Sequence, residues 1–161
     1  MTGMIEGARI AALIAVLSAA VIYGTDVFCA VVQKPALARV NDWVLVAVMG
    51  NVHYYGDRRM PVPGVLGIVS AAVSSALAAL SGRWIAAGAA ATAVGLLLIW
   101  LVAYLRVSAP INRRLVAAAK DGDLPPDARA LQSDWDRVIT TRAVLQGFAI
   151  AALCLTMVHC N

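Results

Sequence analysis

The chain has 161 residues, of which 61% are hydrophobic and 14% are charged, with a mean hydropathy of +0.80 and a net charge of +4. Soluble domains carry about 25% charged and roughly 45–50% apolar residues, so this composition argues against a soluble protein. The length fits one transmembrane domain over residues 1–161. The modest charge is spread over predicted loops, which argues against a nucleic-acid partner. The three cysteines have no zinc-like spacing, and their odd number argues against a disulfide framework.

Four apolar segments are long enough, or nearly so, to cross a bilayer, which takes about 20 mostly apolar residues. We therefore predict an all-α fold, an integral membrane four-helix bundle, with helices at about 10–32, 62–80, 84–105 and 138–158. A signal peptide is the alternative for the first segment. Glu6 interrupts the basic leader that such a peptide needs, and the apolar run resumes after Asp26, so we predict a retained helix.

The second and third segments are joined only by Ser81, Gly82 and Arg83, and so short a connection predicts an antiparallel hairpin. Small residues dominate both segments, at 70–76 and at 86–91. Such residues let membrane helices approach closely, so we expect the two helices to pack tightly.

Basic residues predict the orientation in the cell membrane. Of the 13 basic residues, all except Arg9 and Arg83 lie in or beside loop 1 (33–61) and loop 3 (106–137). Short loops rich in Lys and Arg stay in the cytoplasm. We therefore expect loops 1 and 3 to be cytoplasmic and both termini to lie outside.

Both long loops contain segments with a helical period of apolar residues. In loop 1 the period covers Ala38–Met49, which predicts an amphipathic helix on or dipping into the inner face. In loop 3 we predict a short helix at Ile111–Lys120. A second helix should begin near Ser133 and run through Arg142 into the membrane.

A dense polar cluster in the first two thirds of the chain lies between Val48 and Gly64, and glycines and prolines punctuate it. We predict that it forms a loop at the mouth of the bundle and supplies most of the working groups. His53 could act as a general base near neutral pH, because an unperturbed histidine has a pKa of about 6.5. The alternative is a loop histidine bonded to backbone. The polar members of the cluster are Asn51, His53, Tyr54, Tyr55, Asp57, Arg58 and Arg59.

Asp26 is an acid inside a membrane segment, where a charged side chain costs about 2.5–3.5 kcal/mol on insertion scales. Arg142 is its natural partner, and Tyr23, three residues before Asp26, should share its helix face. Two alternatives stay open for this acid. It either forms an internal salt bridge that locks the helices, or serves as a buried acid or base facing a cavity.

Several other polar residues should approach the same membrane face. Arg58 and Arg59 either anchor a helix start at the cytoplasmic surface or hold a substrate anion through charge-assisted hydrogen bonds. A single iron or copper ion held by His53, Asp26 and Asp57 is a further alternative, although no second histidine is suitably spaced.

Three landmarks resemble a known family. They are a proline-containing exit from the first helix (Gln33–Leu37), a Pro-x-Asn-x-x-Leu motif (Pro110–Leu115) and a Trp-x-Arg-x-x-x-x-Arg motif (Trp135–Arg142). In this pattern the chain resembles the anthrone oxygenase-like group of small four-helix membrane proteins. The resemblance implies oxidation of anthrones to anthraquinones in polyketide pathways. It also implies Asn112, Trp135 and Arg142 as site positions.

We therefore expect a membrane-embedded oxidoreductase, an oxygenase that acts on a hydrophobic phenolic or polyketide-like substrate. His53, or Asp26 acting through it, would remove a proton, and Arg58, Arg59 or Arg142 would stabilise the anion. Molecular oxygen would then react without a cofactor, or with the single metal ion named above. The candidate substrate-binding residues are Tyr23, Asn51, Tyr54, Asp57, Arg59, Asn112 and Trp135.

The alternative class is a non-enzymatic membrane carrier or an assembly or partner protein, and a channel formed by a homo-oligomer is a third alternative. A non-enzymatic protein predicts a buried Asp26–Arg142 pair with no cavity between the two side chains. An enzyme predicts a pocket that opens to the bilayer or the cytoplasm and is lined by Asp26 and His53.

Overall fold

The computed structural model describes residues 2–160, and within this range the chain is helical with no strand. Four of its five helices are long and apolar enough to cross a membrane, which confirms the predicted all-α membrane bundle. The helices are α1 (Thr2–Leu37), α2 (Asp42–Arg59), α3 (Pro61–Leu80), α4 (Trp84–Asp121) and α5 (Ala128–His159).

The four spanning helices form a ring in which each packs against two neighbours. α1 packs against α3 and α5, and α4 packs against the same two helices. The turn between α3 and α4 is the short predicted connection, and Gly82 adopts a φ of +73° there, which glycine tolerates. The predicted hairpin is therefore confirmed.

Small side chains hold the helices together in the half of the bundle that contains both described chain ends, called here the terminal half. Ser74 Oγ donates to the carbonyl of Ala8 at 2.8 Å, and Ser75 Oγ donates to the carbonyl of Ala87 at 3.0 Å. A Cβ atom on Gly67 would lie 3.6 Å from the backbone nitrogen of Ala19. The backbones therefore approach closely, as they do in tightly packed membrane helices.

Three of the spanning helices, α1, α4 and α5, are longer than predicted. α1 has 36 residues and α4 has 38. At 1.5 Å per residue, α1 is about 54 Å long, against roughly 30 Å of hydrocarbon. The segment predicted as a separate helix at 111–120 is the end of α4. The helix continues because its inward positions stay apolar, as at Ile111 and Leu115, and it ends at Gly122, which has a φ of +64°.

The stretch 48–64 is helical, which corrects the prediction of a loop. α2 begins after Asn41, whose side-chain oxygen accepts from the backbone N–H of Val44 at 2.9 Å. Helical hydrogen bonds continue through Met60, so α2 and α3 form one long helix that is interrupted at Pro61 and Pro63. Prolines lack the N–H that the preceding turn needs, which is why a helix kinks there.

The glycines of this stretch suggested a turn in the sequence analysis. Gly50 instead lies within α2 and allows another helix to pack closely against it. A Cβ atom there would lie 2.3 Å from the Cβ of Ala119 and 2.6 Å from the carbonyl oxygen of Leu115. α2 therefore lies directly on the last turns of α4.

The half of the molecule around α2, called here the α2 half, has a core of larger side chains, which include Leu45, Met49, Leu115, Trp135 and Ile139. Its corner is fastened by Arg129 of α5. The Arg129 guanidinium donates to Asp42 at 2.6 Å, to the carbonyl of Leu37 at 2.9 Å and to the carbonyl of Val40. The end of α1 and the start of α2 are thereby joined to α5.

Candidate functional site

A cavity of about 280 Å³ lies at the level of the proline kink, where α2 turns away from α1. All five helices contribute to its wall. Two π-helical turns, Cys29–Gln33 in α1 and Tyr104–Ser108 in α4, lie beside it. Such turns insert an extra residue into the helix and are frequent at functional sites. The polar and aromatic lining residues include Asp26, Cys29, His53, Asp57, Trp100, Tyr104, Asn112, Trp135 and Arg142.

One wall of the cavity is a buried ion pair. Arg142 Nη2 donates to Asp26 Oδ1 at 2.9 Å, which confirms the predicted pairing. The second carboxylate oxygen accepts from Trp100 Nε1 at 3.2 Å and from Gln146 Nε2 at 2.7 Å. A buried pair offsets its desolvation cost only when further hydrogen bonds satisfy it, as they do around Asp26. The pair therefore joins α1, α4 and α5.

Arg142 is also surrounded by aromatic rings. Its guanidinium carbon lies 5.5 Å from the ring centre of Tyr104, 5.7 Å from that of Trp100 and 6.0 Å from that of Trp135. Nη1 donates to Ser108 Oγ at 2.9 Å, a hydroxyl that the π-helical turn of α4 carries. Aromatic faces attract cations, so the rings hold the guanidinium in one orientation.

The opposite wall is centred on Asp57 of α2. Its Oδ1 accepts from Tyr104 Oη at 2.7 Å and from Asn112 Nδ2 at 2.8 Å, and these bonds join α2 to α4. His53 lies one turn earlier on the same face of α2, with its ring centre 5.4 Å from that of Trp135.

His53 is buried, and its Nε2 atom has no hydrogen-bond partner in the described part of the chain. Burial lowers the pKa of His53 to about 4, because removal from water disfavours the imidazolium ion. The carboxylate of Asp57 acts in the opposite direction, and the charge of Arg142 lowers the pKa further. The imidazole is therefore neutral at pH 7.

Three more buried polar atoms of cavity-lining residues have no partner among residues 2–160: Asn112 Oδ1, Trp135 Nε1 and Arg142 Nε. A buried polar group without a partner costs about 1–3 kcal/mol. The indole and guanidinium N–H groups can donate to an oxygen of a ligand, and the amide oxygen can accept from a hydroxyl. The cavity thus combines an apolar wall with hydrogen-bonding groups from three helices.

The structure brings six of the sequence-predicted site residues to this cavity. They are Asp26, His53, Asp57, Asn112, Trp135 and Arg142. Asp26 and His53 line one space, as the enzyme hypothesis predicts, and the buried Asp26–Arg142 pair of the alternative hypothesis is present in the wall of the same space.

The other predicted α2 residues lie on the opposite, exposed face of that helix, because residues 51, 54, 58 and 59 of a helix cannot share the face of His53. Asn51 donates to the carbonyl of Ala47 at 2.8 Å. The guanidinium of Arg58 lies 3.6 Å from the ring centre of Tyr54. Arg59 lies 5.1 Å from the ring centre of Tyr55.

Tyr23 does not share the cavity with Asp26. It lies on the outer surface between α1 and α5, where a Cβ atom on Gly147 would be 3.3 Å from its ring. Three residues along a helix change the direction by about 60°, which here turns Tyr23 toward α5.

The proposed metal ligands do not converge. Within the described residues, no three His, Cys, Asp or Glu side chains lie close enough to hold a metal ion. Asp26 is bonded to Arg142, and Asp57 to Tyr104 and Asn112. The set His53, Asp26 and Asp57 therefore does not fit an iron or copper ion.

Sequence reasoning missed four polar or aromatic partners in or beside the cavity. Trp100 and Tyr104 are four residues apart, and this spacing places both on one helix face. Gln146 follows Arg142 by four residues, which is the same signal. Ser108 carried no signal, because its position depends on the π-helical turn.

Comparison of the chain with family models, with curated proteins and with solved structures gave no match. The resemblance to the anthrone oxygenase-like group therefore stays a prediction that depends on the three short motifs.

Proposed function

We propose that this integral membrane protein is an oxygenase that oxidises a hydrophobic phenolic or polyketide-like molecule with molecular oxygen inside the cavity. The observation that carries the proposal is that His53, Asn112, Trp135 and Arg142 all line one cavity and that each has a buried polar atom without a partner among residues 2–160. The basic loops favour a cell-membrane orientation with the α2 half in the cytoplasm.

The size and lining of the cavity favour a compact ligand. Ligand sites commonly enclose about 300–1,000 Å³, so 280 Å³ is at the small end of the range. A molecule of a few fused rings with one or two oxygens suits such a space better than a long acyl chain. The rings of Trp100, Tyr104 and Trp135 offer flat apolar surfaces to it.

In the proposed reaction, the N–H groups of Trp135 and Arg142 donate to the carbonyl or phenolic oxygen of the substrate. His53 Nε2 then removes a proton from an activated CH₂ carbon of the ring system. The electron pair left on carbon delocalises to the substrate oxygen, where the guanidinium of Arg142 stabilises the negative charge. His53 thereby becomes imidazolium beside an anion, which compensates the cost of charging it in a buried site.

Oxygen is the oxidant in the remaining steps. The carbanion transfers one electron to O₂, and the resulting carbon radical and superoxide combine to form a C–O bond. The peroxide takes the proton from His53. The second C–H bond and the O–O bond then break, water leaves, and a ketone remains. The balance is one CH₂ group and one O₂ giving one C=O group and one H₂O.

Asp26 has a supporting role in this scheme. Its carboxylate already accepts from Arg142, Trp100 and Gln146. We therefore assign proton removal to His53 and assign Asp26 to holding Arg142 in place.

The test is turnover of an anthrone by purified protein in proteoliposomes, followed by absorbance, with His53→Ala and the matched control His159→Ala. General-base catalysis contributes roughly 10²–10⁴-fold, so we expect His53→Ala to lose turnover on that scale. His159 is exposed at the end of α5, and its variant should keep full turnover. Unchanged turnover in His53→Ala would remove this residue from the mechanism.

A membrane carrier is the second candidate. It is favoured by the hydrogen bonds that Asp26 accepts from Arg142, Trp100 and Gln146, because these bonds give the carboxylate a structural role between helices. A carrier binds the anthrone without consuming oxygen, so an oxygen electrode separates the two functions.

A further inference from the structure

The cavity has a side wall that the helices do not close. α1 packs along α3 in the terminal half, whereas α2 departs from α1 at the proline kink and packs along the end of α4. The space between α1 and α2 is therefore wider than the space between α1 and α3. His53 and Asp57 lie on the cavity side of this divergence.

The opening between α1 and α2, called here the window, is bounded at both ends by contacts between helices. At its upper end Gln33 Nε2 lies 2.9 Å from Met49 Sδ, which joins the two helices again. At its lower end α3 lies against α1 around Gly67, where a Cβ atom would be 3.6 Å from Ser18 and Ala19.

The sides of the window come from both helices. Thr25 and Cys29 line the cavity on α1, and Val52 and Gly56 line it on α2. Thr25 and Val52 also reach the protein surface, and 45% of Val52 is exposed. Thr25 and Val52 thus touch both the cavity and the surface at the window, and Val65 of α3 and Leu105 of α4 also line the cavity with 60% and 55% of each exposed.

The depth of the window indicates what lies outside it. Thr25 precedes the end of the apolar run 10–32 by seven residues, or about 10 Å at 1.5 Å per residue. The surface of α1 on this side is apolar, and Phe28 and Val32 are exposed there. The window therefore faces hydrocarbon rather than water.

We propose that the cavity exchanges its ligand sideways with the bilayer leaflet on the α2 side, through the window between α1 and α2. Its ligand is then a molecule dissolved in the membrane, apolar over most of its surface, which enters without passing through water. The inference rests on the proposed function only in taking this cavity as the binding site, and it holds for an oxygenase and for a carrier alike.

Gly56 offers a direct way to obstruct the window. A Cβ atom at Gly56 meets nothing within 4 Å, so a larger side chain projects into open space without a backbone clash. Gly24 of α1 is a matched control, because it is also helical, exposed and free of neighbours within 4 Å, but it does not line the cavity. Gly56→Leu and Gly24→Leu therefore differ in position rather than in chemistry.

The experiment uses the tryptophans of the cavity as reporters. Trp43 and Trp84 are exposed elsewhere, and their replacement by Phe leaves Trp100 and Trp135, which both line the cavity. In proteoliposomes, fluorescence quenching is measured with a nitroxide-labelled alkane, which dissolves in the bilayer, and with iodide, which stays in water. We expect quenching by the alkane and none by iodide. Gly56→Leu should lose the quenching by the alkane, and Gly24→Leu should keep it.

Several outcomes would overturn the inference. Quenching by iodide and not by the alkane means that the cavity opens to water, and equal behaviour of the two Leu variants means that entry lies elsewhere. If Gly56→Leu does not fold, Thr25→Phe obstructs the other side of the window and carries the same expectation. Quenching needs no turnover. Absence of anthrone oxidation would therefore refute the oxygenase proposal but would not affect the inference that ligands enter through the window.

Discussion

The two halves of the molecule solve the same packing problem with different residues. In the terminal half, Ala, Ser and Gly bring regular helices into close contact. In the α2 half, larger side chains surround two π-helical turns, a proline kink and a cavity. The comparison shows that every interruption of regular helix in the spanning segments lies where the polar groups gather. The terminal half holds the spanning helices in close contact, and the α2 half contains an open space between them.

The largest expected effect on stability is in the α2 half, at the buried pair. Asp26→Ala leaves Arg142 buried without its carboxylate, and breaking such a pair costs about 3–5 kcal/mol. Asp134→Ala is the control, because Asp134 and Arg137 form an exposed pair at 3.4 Å, and such pairs contribute about 0–1 kcal/mol. Denaturant unfolding in detergent measures both. Equal losses would mean that the pair does not join the helices.

A pH dependence should follow from His53. Its pKa is about 4 in the folded protein and about 6.5 when unfolded, so the unfolded chain binds the extra proton between these values. The free energy of unfolding is therefore unaffected by His53 above pH 6.5, and it decreases as the pH drops toward 4, by about 3 kcal/mol at most. His53→Gln should remove this slope. An unchanged slope in that variant would assign the effect to other groups.

Two glycine-to-alanine substitutions, one in each half, should change the stability in opposite directions. Gly50→Ala places a Cβ atom 2.3 Å from that of Ala119, and such overpacking costs about 1–3 kcal/mol. Gly88 in the terminal half has nothing within 4 Å of an added Cβ atom, so Gly88→Ala should stabilise its helix by roughly 0.5–1 kcal/mol. Thermal unfolding gives both signs. A stable Gly50→Ala variant would show that α2 can move away from α4.

The smallest expected effect is in the terminal half. Ser74→Ala removes a buried hydrogen bond to the carbonyl of Ala8, worth about 0.5–1.5 kcal/mol. Thr92→Ala removes a bond on the exposed surface of α4, and its loss should be smaller. A larger loss for Thr92→Ala would contradict the role given to the buried serine. The same denaturant unfolding provides the measurement.

Much of the spanning helix bundle was predictable, because the length of each apolar segment and its content of small residues are read directly from the sequence. The four spans and the hairpin at Ser81–Arg83 followed from them. The Asp26–Arg142 pair followed from the cost of a lone charge in hydrocarbon.

The α2 half was harder to predict, because tertiary contacts decide its local structure. Gly50 and the two prolines have the composition of a loop, yet packing on α4 keeps the segment helical. That helix turns Arg58 and Asn51 outward and His53 inward, which no spacing rule for a loop anticipates. The π-helical turns left no mark in the sequence, so the position of Ser108 was not predictable.

The attachment of α2 at both of its ends restricts what the window can do. Arg129 fastens the first turn of α2 to α1 and α5, and Met60 continues its last turn directly into α3. A helix that is fixed at both ends can bend in its middle, but it cannot rotate away from α1 as a rigid body. The cross-section of a ligand, rather than its length, should therefore decide whether it passes through the window. A flat ring system would pass edge-on, whereas a branched molecule of equal mass would not.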